Sequence, residues 1–273
     1  MTAPKWVVQF SGGIGSWGAA RRYVDAHGAS GGVLLFADTR IEDPDLYRFI
    51  MQAASDIGCP LVCVADGRTP WEVYRDERFL GNSRVAHCSQ VLKQKPCREW
   101  VNAHCTADTK IIFGIDWAES HRLAAIRHHW RPFEVVAPLC DRPCVTKTAL
   151  IEAITARGIQ PPRMYAEGFA HNNCGGFCCR AGHAHFRHLY KVRRDVFLEA
   201  ERQEQEVIEH IGKNVTILAD RKNGTKVPLT LRAFRERIEA DPQEDATEEW
   251  GACGCFIADE QPSQHPAKKD GRP

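Results

Sequence analysis

The chain contains no unbroken run of 18 apolar residues, so the sequence predicts no membrane-spanning helix. Its first residues lack the basic-then-apolar pattern of a secretory signal. Neither sign of charge is in excess: 36 Lys and Arg balance 35 Asp and Glu, for a net charge of +1. That balance neither demands nor excludes a nucleic-acid partner. No internal repeat marks a solenoid or an array. These absences together lead us to expect a cytoplasmic protein with no membrane partner. They leave its oligomeric state open.

Cysteine, by contrast, is abundant: 12 among 273 residues. In a reducing compartment, clustered cysteines point to a metal, an iron–sulfur cluster or redox chemistry rather than to disulfides. Cys59, Cys63 and Cys105 lie in or near apolar segments and are expected to fill the core. Hydrophobic residues make up 43% of the chain, enough for a sizeable core.

Short apolar runs at 5–10, 32–37, 60–65 and 110–115 read as strands. They alternate with helical patterns at 16–27, 43–58 and 89–104. This alternation predicts an α/β fold, a Rossmann-like parallel sheet of about five strands with helices on both faces. Ligands of such sheets bind beyond the carboxyl ends of the strands, which singles out the loops at Ser11, Asp38 and Asp116. Residues 1–145 are expected to form a nucleotide-binding domain. Residues 146–256 are expected to form a cysteine-rich, mainly helical region that completes the site, and 257–273 a disordered tail. Within that region we expect helices at 146–157, about 193–211 and 230–239, with a hairpin between the last two.

The stretch VVQFSGGIGSWGAA, residues 7–20, passes from strand to glycine-rich turn to helix. In that arrangement backbone N–H groups and a helix N-terminus face an anion. Gly12, Gly13 and Gly15 allow close approach to phosphate oxygens, and Ser11 and Ser16 add hydroxyls. The Walker signature G-x-x-x-x-G-K-[ST] is absent, which argues against ordinary γ-phosphate transfer.

SGGIGS on a first strand resembles the loop of the PP-loop superfamily, the phosphoadenosine phosphosulfate (PAPS) reductase-like, adenine nucleotide alpha-hydrolase-like proteins. VLLFADTRIEDPDLYRFI, HCSQVLKQKP, GIDWAESHR, APLCDRP and MYAEGFAHNNCGGFC resemble further family segments, in order, over about residues 5–195. The resemblance implies cleavage between the α and β phosphates of ATP, or handling of an adenylyl-sulfate nucleotide. It implies that Ser11, Gly12, Gly13, Gly15 and Ser16 hold phosphates and that the adenine lies against Phe36, Asp38 and Thr39. Lys93, Glu119, Arg122 and Arg84 occupy family positions for further nucleotide contacts, with Arg122 and Asp38 as catalytic candidates. Asp38 would contact the ribose or a magnesium ion. The pyrophosphatase branch usually has Asp where this chain has Gly15.

The same resemblance implies a cysteine-held [4Fe–4S] cluster, with zinc as the alternative. Cys88, Cys174 and Cys178 match family positions. Cys255 is the candidate fourth ligand, Cys253, Cys140 and Cys144 are rivals, and the role of Cys179 is open. Family reductases use a C-terminal nucleophile, of which only Cys253 and Gly254 remain here. Three functions follow as expectations. The first is an enzyme that adenylylates a substrate, releasing AMP and pyrophosphate, for sulfur transfer or reduction. Its acceptor would be a nucleic acid or a small metabolite, with a separate sulfur donor. The second is a PAPS/APS reductase using Cys253 and a thioredoxin-like donor. The third is a non-enzymatic, zinc-stabilised nucleotide-binding module. Finally, Arg180, His183, Arg187, Lys191 and Arg194 recur at helical spacing, which predicts one basic face beside the site.

Overall fold

The computed structural model describes residues 2–82, 85–172, 174–222 and 224–241. Its centre is a five-stranded, all-parallel sheet in the order β3-β2-β1-β4-β5. The strands are β1 (Trp6–Gln9), β2 (Gly32–Ala37), β3 (Leu61–Val64), β4 (Lys110–Ile112) and β5 (Glu134–Val136). Val8 of β1 lies opposite Leu34 of β2 and Ile112 of β4. Every residue of β1 is buried, as expected of a strand covered on both faces. Trp6, Val8 and Phe10 pack into the core on one face of the sheet, and Val7 into the core on the other. The expected doubly wound α/β architecture is what the chain adopts.

Helices α1 (Ile14–His27) and α2 (Pro44–Ile57) follow β1 and β2. The start of α2 is set locally: Asp43 accepts the Asp45 N–H, Pro44 opens the first turn, and Gly58 closes the helix in the left-handed region. After β3 comes α3 (Pro70–Asp76), begun by a reciprocal Thr69–Glu72 capping box. The helix expected over 89–104 is instead a single turn, α4 (His87–Ser89), a π-helical turn over Gln90–Gln94, and α5 (Lys95–His104). Pro96, which has no N–H to give the ladder, stands just past the wide turn. A 3-10 turn (Trp117–Arg122) and α6 (Leu123–His129) link β4 to β5.

Beyond β5 the chain forms α7 (Lys147–Ala156), α8 (Arg163–Ala166), α9 (His183–Val192) and α10 (Arg194–Ile211). An antiparallel pair, β6 (Leu218–Lys222) and β7 (Thr225–Leu229), and α11 (Leu231–Ala240) complete the described residues. A second core unites Trp71 and Tyr74 of α3 with Phe186, Phe197 and Phe234 of α9, α10 and α11. In contrast, α7 packs Leu150 and Ile154 into the sheet core beside α1. The cores therefore divide the chain differently from a cut at residue 145.

Two expectations are corrected here. Cys63 is exposed because β3 is the edge strand, whereas Cys59 is buried and Cys105 half-buried. The basic stretch does not form one face, because the chain breaks at Arg193, leaving Arg180 before α9 and Arg194 on α10. Its members also turn onto α11. The Arg187 guanidinium lies over Phe234, and Arg194 meets Glu239 at 3.2 Å.

Candidate active site

The strand order reverses at β1, whose neighbours β2 and β4 lead to opposite edges of the sheet. A crevice beyond the carboxyl ends of such strands is where open α/β sheets bind ligands. The Ser11–Ser16 turn stands there, between β1 and α1. Gly12 has φ +76°, and a Cβ on it would come within 2.6 Å of Leu46 Cδ1. A Cβ on Gly15 would meet the Gly114 carbonyl at 3.1 Å. Glycine at position 15, where the family pattern has Asp, thus lets the loop pack against the end of β4. Ser16 is buried and donates its hydroxyl to the Gly13 carbonyl at 2.8 Å, so it staples the turn. Ser11 is half-buried and stays at the loop surface.

Residues from the second half of the chain close over this loop, and sequence reading missed them. The Ile14 N–H donates to the Tyr165 hydroxyl at 3.1 Å, and the Asn172 amide donates to the Gly12 carbonyl at 3.3 Å. The Lys147 ammonium sits 5.8 Å above the Tyr165 ring and donates to the Ala170 carbonyl. Lost hydration and the charges of Lys147, His185 and Arg122 push the His171 imidazole down to about 4, although part of its surface stays open. Arg122, nearly buried, pairs with Glu119 one turn earlier. Tyr165 and His171 fall within the MYAEGFAHNNCGGFC segment, whereas no spacing signal marks Lys147.

At the end of β2, Phe36 is fully buried in the core, so only its backbone is available to a ligand. Asp38 accepts the Arg40 N–H at 2.9 Å and the Tyr47 hydroxyl at 2.8 Å. Thr39 is buried and donates to Glu42 at 2.9 Å. Glu42 is a hub: its carboxylate also accepts the Lys93 ammonium at 3.2 Å and the Cys174 N–H at 2.6 Å. Lys93, expected to contact the nucleotide, is buried in an ion pair with Glu42. Its compensation explains how an ammonium and a carboxylate can both leave water.

Cys88, Cys174, Cys178 and Cys179 line one small cavity of about 30 Å³, together with Lys93 and Tyr74. The Cys88 and Cys179 sulfurs are 3.8 Å apart, and the Tyr74 hydroxyl donates to Cys88 at 3.1 Å. The hydrogen bond with Cys88, and then burial, pushes the Cys179 thiol well up. Positive φ at Cys174, Gly175 and Gly176 turns this loop, and a Cβ on Gly175 would come within 2.7 Å of the Ile41 carbonyl. Cys179, whose role the sequence leaves open, lines the same cavity as the three expected ligands. Cys140 does not line this cavity: its thiol donates to the Ile115 and Asp116 carbonyls, and Cys144 is exposed. Cys253, Gly254, Cys255 and Arg84 lie outside the described residues. The donor chemistry suits a soft metal or an iron–sulfur cluster. Among the described residues, however, no group of three or more His, Cys, Asp or Glu is drawn together as a metal-holding set.

Past Cys174 a wider cleft of about 600 Å³ opens between the β2–α2 loop and α10, lined in part by Trp71, Arg163, Arg193 and Glu199. Burial alone would raise the Asp43 carboxyl in its wall, but the Arg163 and Arg193 guanidinium groups hold it below the usual carboxylate range. No described helix is long and apolar enough to cross a membrane.

No protein-family model and no curated protein matches this chain. Among solved structures it is similar to a phosphoadenylyl-sulfate (PAPS) reductase from Candida auris, with TM-score 0.42 and 15% identity over 61% of this chain and 79% of that one. It is also similar to an NH3-dependent NAD synthetase from Campylobacter jejuni subsp. jejuni, with TM-score 0.37 and 8% identity over 78% and 86% of the two chains. At these values neither speaks to what this chain binds. One further signal comes from the loop itself. Gly13-Ile14-Gly15-Ser16-Trp17-Gly18 has the spacing G-x-G-x-x-G, and Asp38 follows Gly18 by about twenty residues, as in dinucleotide-binding units.

Proposed function

We propose that the chain is a nucleotide-dependent enzyme of the PP-loop, PAPS reductase-like kind. It binds ATP or an adenylyl-sulfate nucleotide at the Ser11–Ser16 turn and acts between the α and β phosphates. One observation carries this reading. A Ser-Gly-Gly turn stands at the switch point of the sheet, and beside it Glu42 ties Thr39, at the end of β2, to the Cys174 N–H in the wall of a cavity lined by four cysteines. In adenylylation, an acceptor oxygen attacks the α-phosphorus, the bond to the bridging oxygen breaks, and pyrophosphate leaves. Backbone donors of the loop suit the charge that develops on that leaving group. Asp38, held by the Arg40 N–H and the Tyr47 hydroxyl, would contact a ribose or a magnesium ion.

Cys88, Cys174 and Cys178, with Cys179 or Cys255, would hold a [4Fe–4S] cluster or a zinc ion. Such a group supplies a site for holding sulfur or polarising an acceptor. Thiolates rather than thiols hold such a group, so Cys179, whose thiol is pushed well up, would have to give up its proton to serve as a ligand. The acceptor, a nucleic acid or a small metabolite, and the sulfur or thioredoxin-like donor are part of the proposal.

Anaerobic incubation with ATP and tRNA, DNA or small thiol acceptors should release AMP and pyrophosphate. Sulfite release from PAPS that vanishes in Cys253→Ser would instead mark a reductase. Absence of both products, with no nucleotide binding, would sink the enzyme reading. The G-x-G-x-x-G spacing with Asp38 favours a second reading, a dinucleotide-binding enzyme. Equilibrium binding decides between them: NAD or NADP binding tighter than ATP supports the second.

A further inference from the structure

The turn that follows β1 carries no charge of its own: residues 11–20 contain neither Lys nor Arg. A helix N-terminus offers only about half a positive charge, far less than a nucleotide's phosphates bring. We propose that Lys147, His171 and Arg122 form the basic roof of this phosphate site and bind the polyphosphate tail of a nucleotide. The proposal rests on the nucleotide reading above and names the groups that make it work.

The geometry begins with two pins. Tyr165 receives the Ile14 N–H at 3.1 Å, and Asn172 donates to the Gly12 carbonyl at 3.3 Å, so both ends of segment 165–172 are fastened to the loop. His171 stands between Asn172 and Ala170, and Ala170 accepts from Lys147. Lys147, on the first turn of α7, is exposed and holds its ammonium over the Tyr165 ring. Arg122 comes from the β4 loop, whose Gly114 carbonyl presses against Gly15. The groups acting on His171 come from three directions: Lys147 from α7, His185 from α9, and Arg122 beyond β4, the last already paired with Glu119.

Burial first, and then the crowding of these cations and bases, disfavours a proton on His171. Like charges brought together around an uncharged anion loop are what a phosphate would relieve. The Tyr165 hydroxyl occupies the Ile14 N–H in the meantime, where a phosphate oxygen could replace it. The positive charge that other phosphate loops carry on a lysine within the motif here arrives from 100 residues or more downstream.

ATP and adenosine binding by the full chain tests this, in the wild type and in Lys147→Gln and His171→Gln. Each variant should bind ATP about tenfold more weakly, the scale of one charge-assisted hydrogen bond, with adenosine binding unchanged. A phosphate beside His171 favours its protonation. The ratio of wild-type to His171→Gln affinity for ATP should therefore rise as pH falls from 8 to 5.5. Unchanged ATP binding in both variants overturns the proposal while leaving the nucleotide reading intact. Equal weakening of ATP and adenosine also overturns it, because it marks a structural role. A wild-type protein that binds neither ATP nor tripolyphosphate overturns both.

Discussion

The two glycine-rich turns of the site are held in opposite ways. The Ser11–Ser16 turn is fixed by what it lacks: bare Cα positions at Gly12 and Gly15 let Leu46 and the Gly114 carbonyl close in. Its hydroxyl staple, Ser16 to Gly13, spans three residues. The Cys174–Cys179 turn is fixed by partners far away in sequence. Glu42 takes the Cys174 N–H, and Glu42 is itself held by Lys93 and Thr39. Cys88 and Tyr74 meet the far end of the turn at Cys179. A turn of the first kind keeps its shape when one distant side-chain partner, such as the Tyr165 hydroxyl, is lost. The second kind fails whenever a distant partner fails.

The hardest blow to that contrast is Glu42→Ala. It leaves the buried Lys93 ammonium unpaired and the Cys174 N–H without its acceptor. Loss of one member of a buried pair costs about 3–5 kcal/mol, so a large drop in thermal midpoint is expected. Bound metal or sulfide should fall with it, measured by metal analysis. Glu42→Gln, which keeps an acceptor for Cys174, should lose less. If the alanine variant is as stable as the wild type, the hub has been misjudged.

A smaller effect separates the two cores by pH. Burial is the main cause that raises the Glu204 carboxyl to about 7, opposed by its hydrogen bonds from the Ile217 and Leu231 N–H groups. Because the folded value lies above the unfolded one of about 4.5, its contribution is fully present below pH 4.5 and is lost as pH rises through 7. The loss is on the order of 2 kcal/mol. Urea midpoints of wild type minus Glu204→Gln should decline across that window, and a flat difference would contradict the linkage. Sheet-core variants such as Leu150→Val should show no such slope in the difference.

The mildest test strikes the first turn. Tyr165→Phe removes the acceptor for Ile14 N–H while leaving the ring, at a cost of about 1 kcal/mol in chemical denaturation. With the hydroxyl gone, phosphate affinity should hold or rise, because the N–H no longer has to change partner. A tenfold loss of ATP binding would instead make the hydroxyl a direct phosphate contact.

Much of the fold was legible because its signals are local. GVLLFA at 32–37 is β2 residue for residue, and α2 begins and ends where Asp43, Pro44 and Gly58 say it should. The loop at Ser11 was legible for the same reason, since strand, glycines and helix are consecutive. The basic stretch at 180–194 was misleading, because helical spacing cannot register the break at Arg193 or the pull of Phe234 and Glu239 on α11. Lys93 shows the same limit of local reading. A lysine near a ligand loop and a lysine in a buried ion pair look alike until Glu42 is seen beside it.

What the sequence by itself determined is the parallel sheet, the position of the glycine turn at its carboxyl edge, and the family of chemistries such a turn can serve. These rest on periodicity and on backbone freedom, both written in neighbouring residues. Only the tertiary structure decided that Cys179 joins Cys88, Cys174 and Cys178, and that Lys147, Tyr165 and His171 close over a loop about 130 to 160 residues before them. Contacts of that separation depend on how two cores pack against each other, and no local pattern of residues encodes that packing.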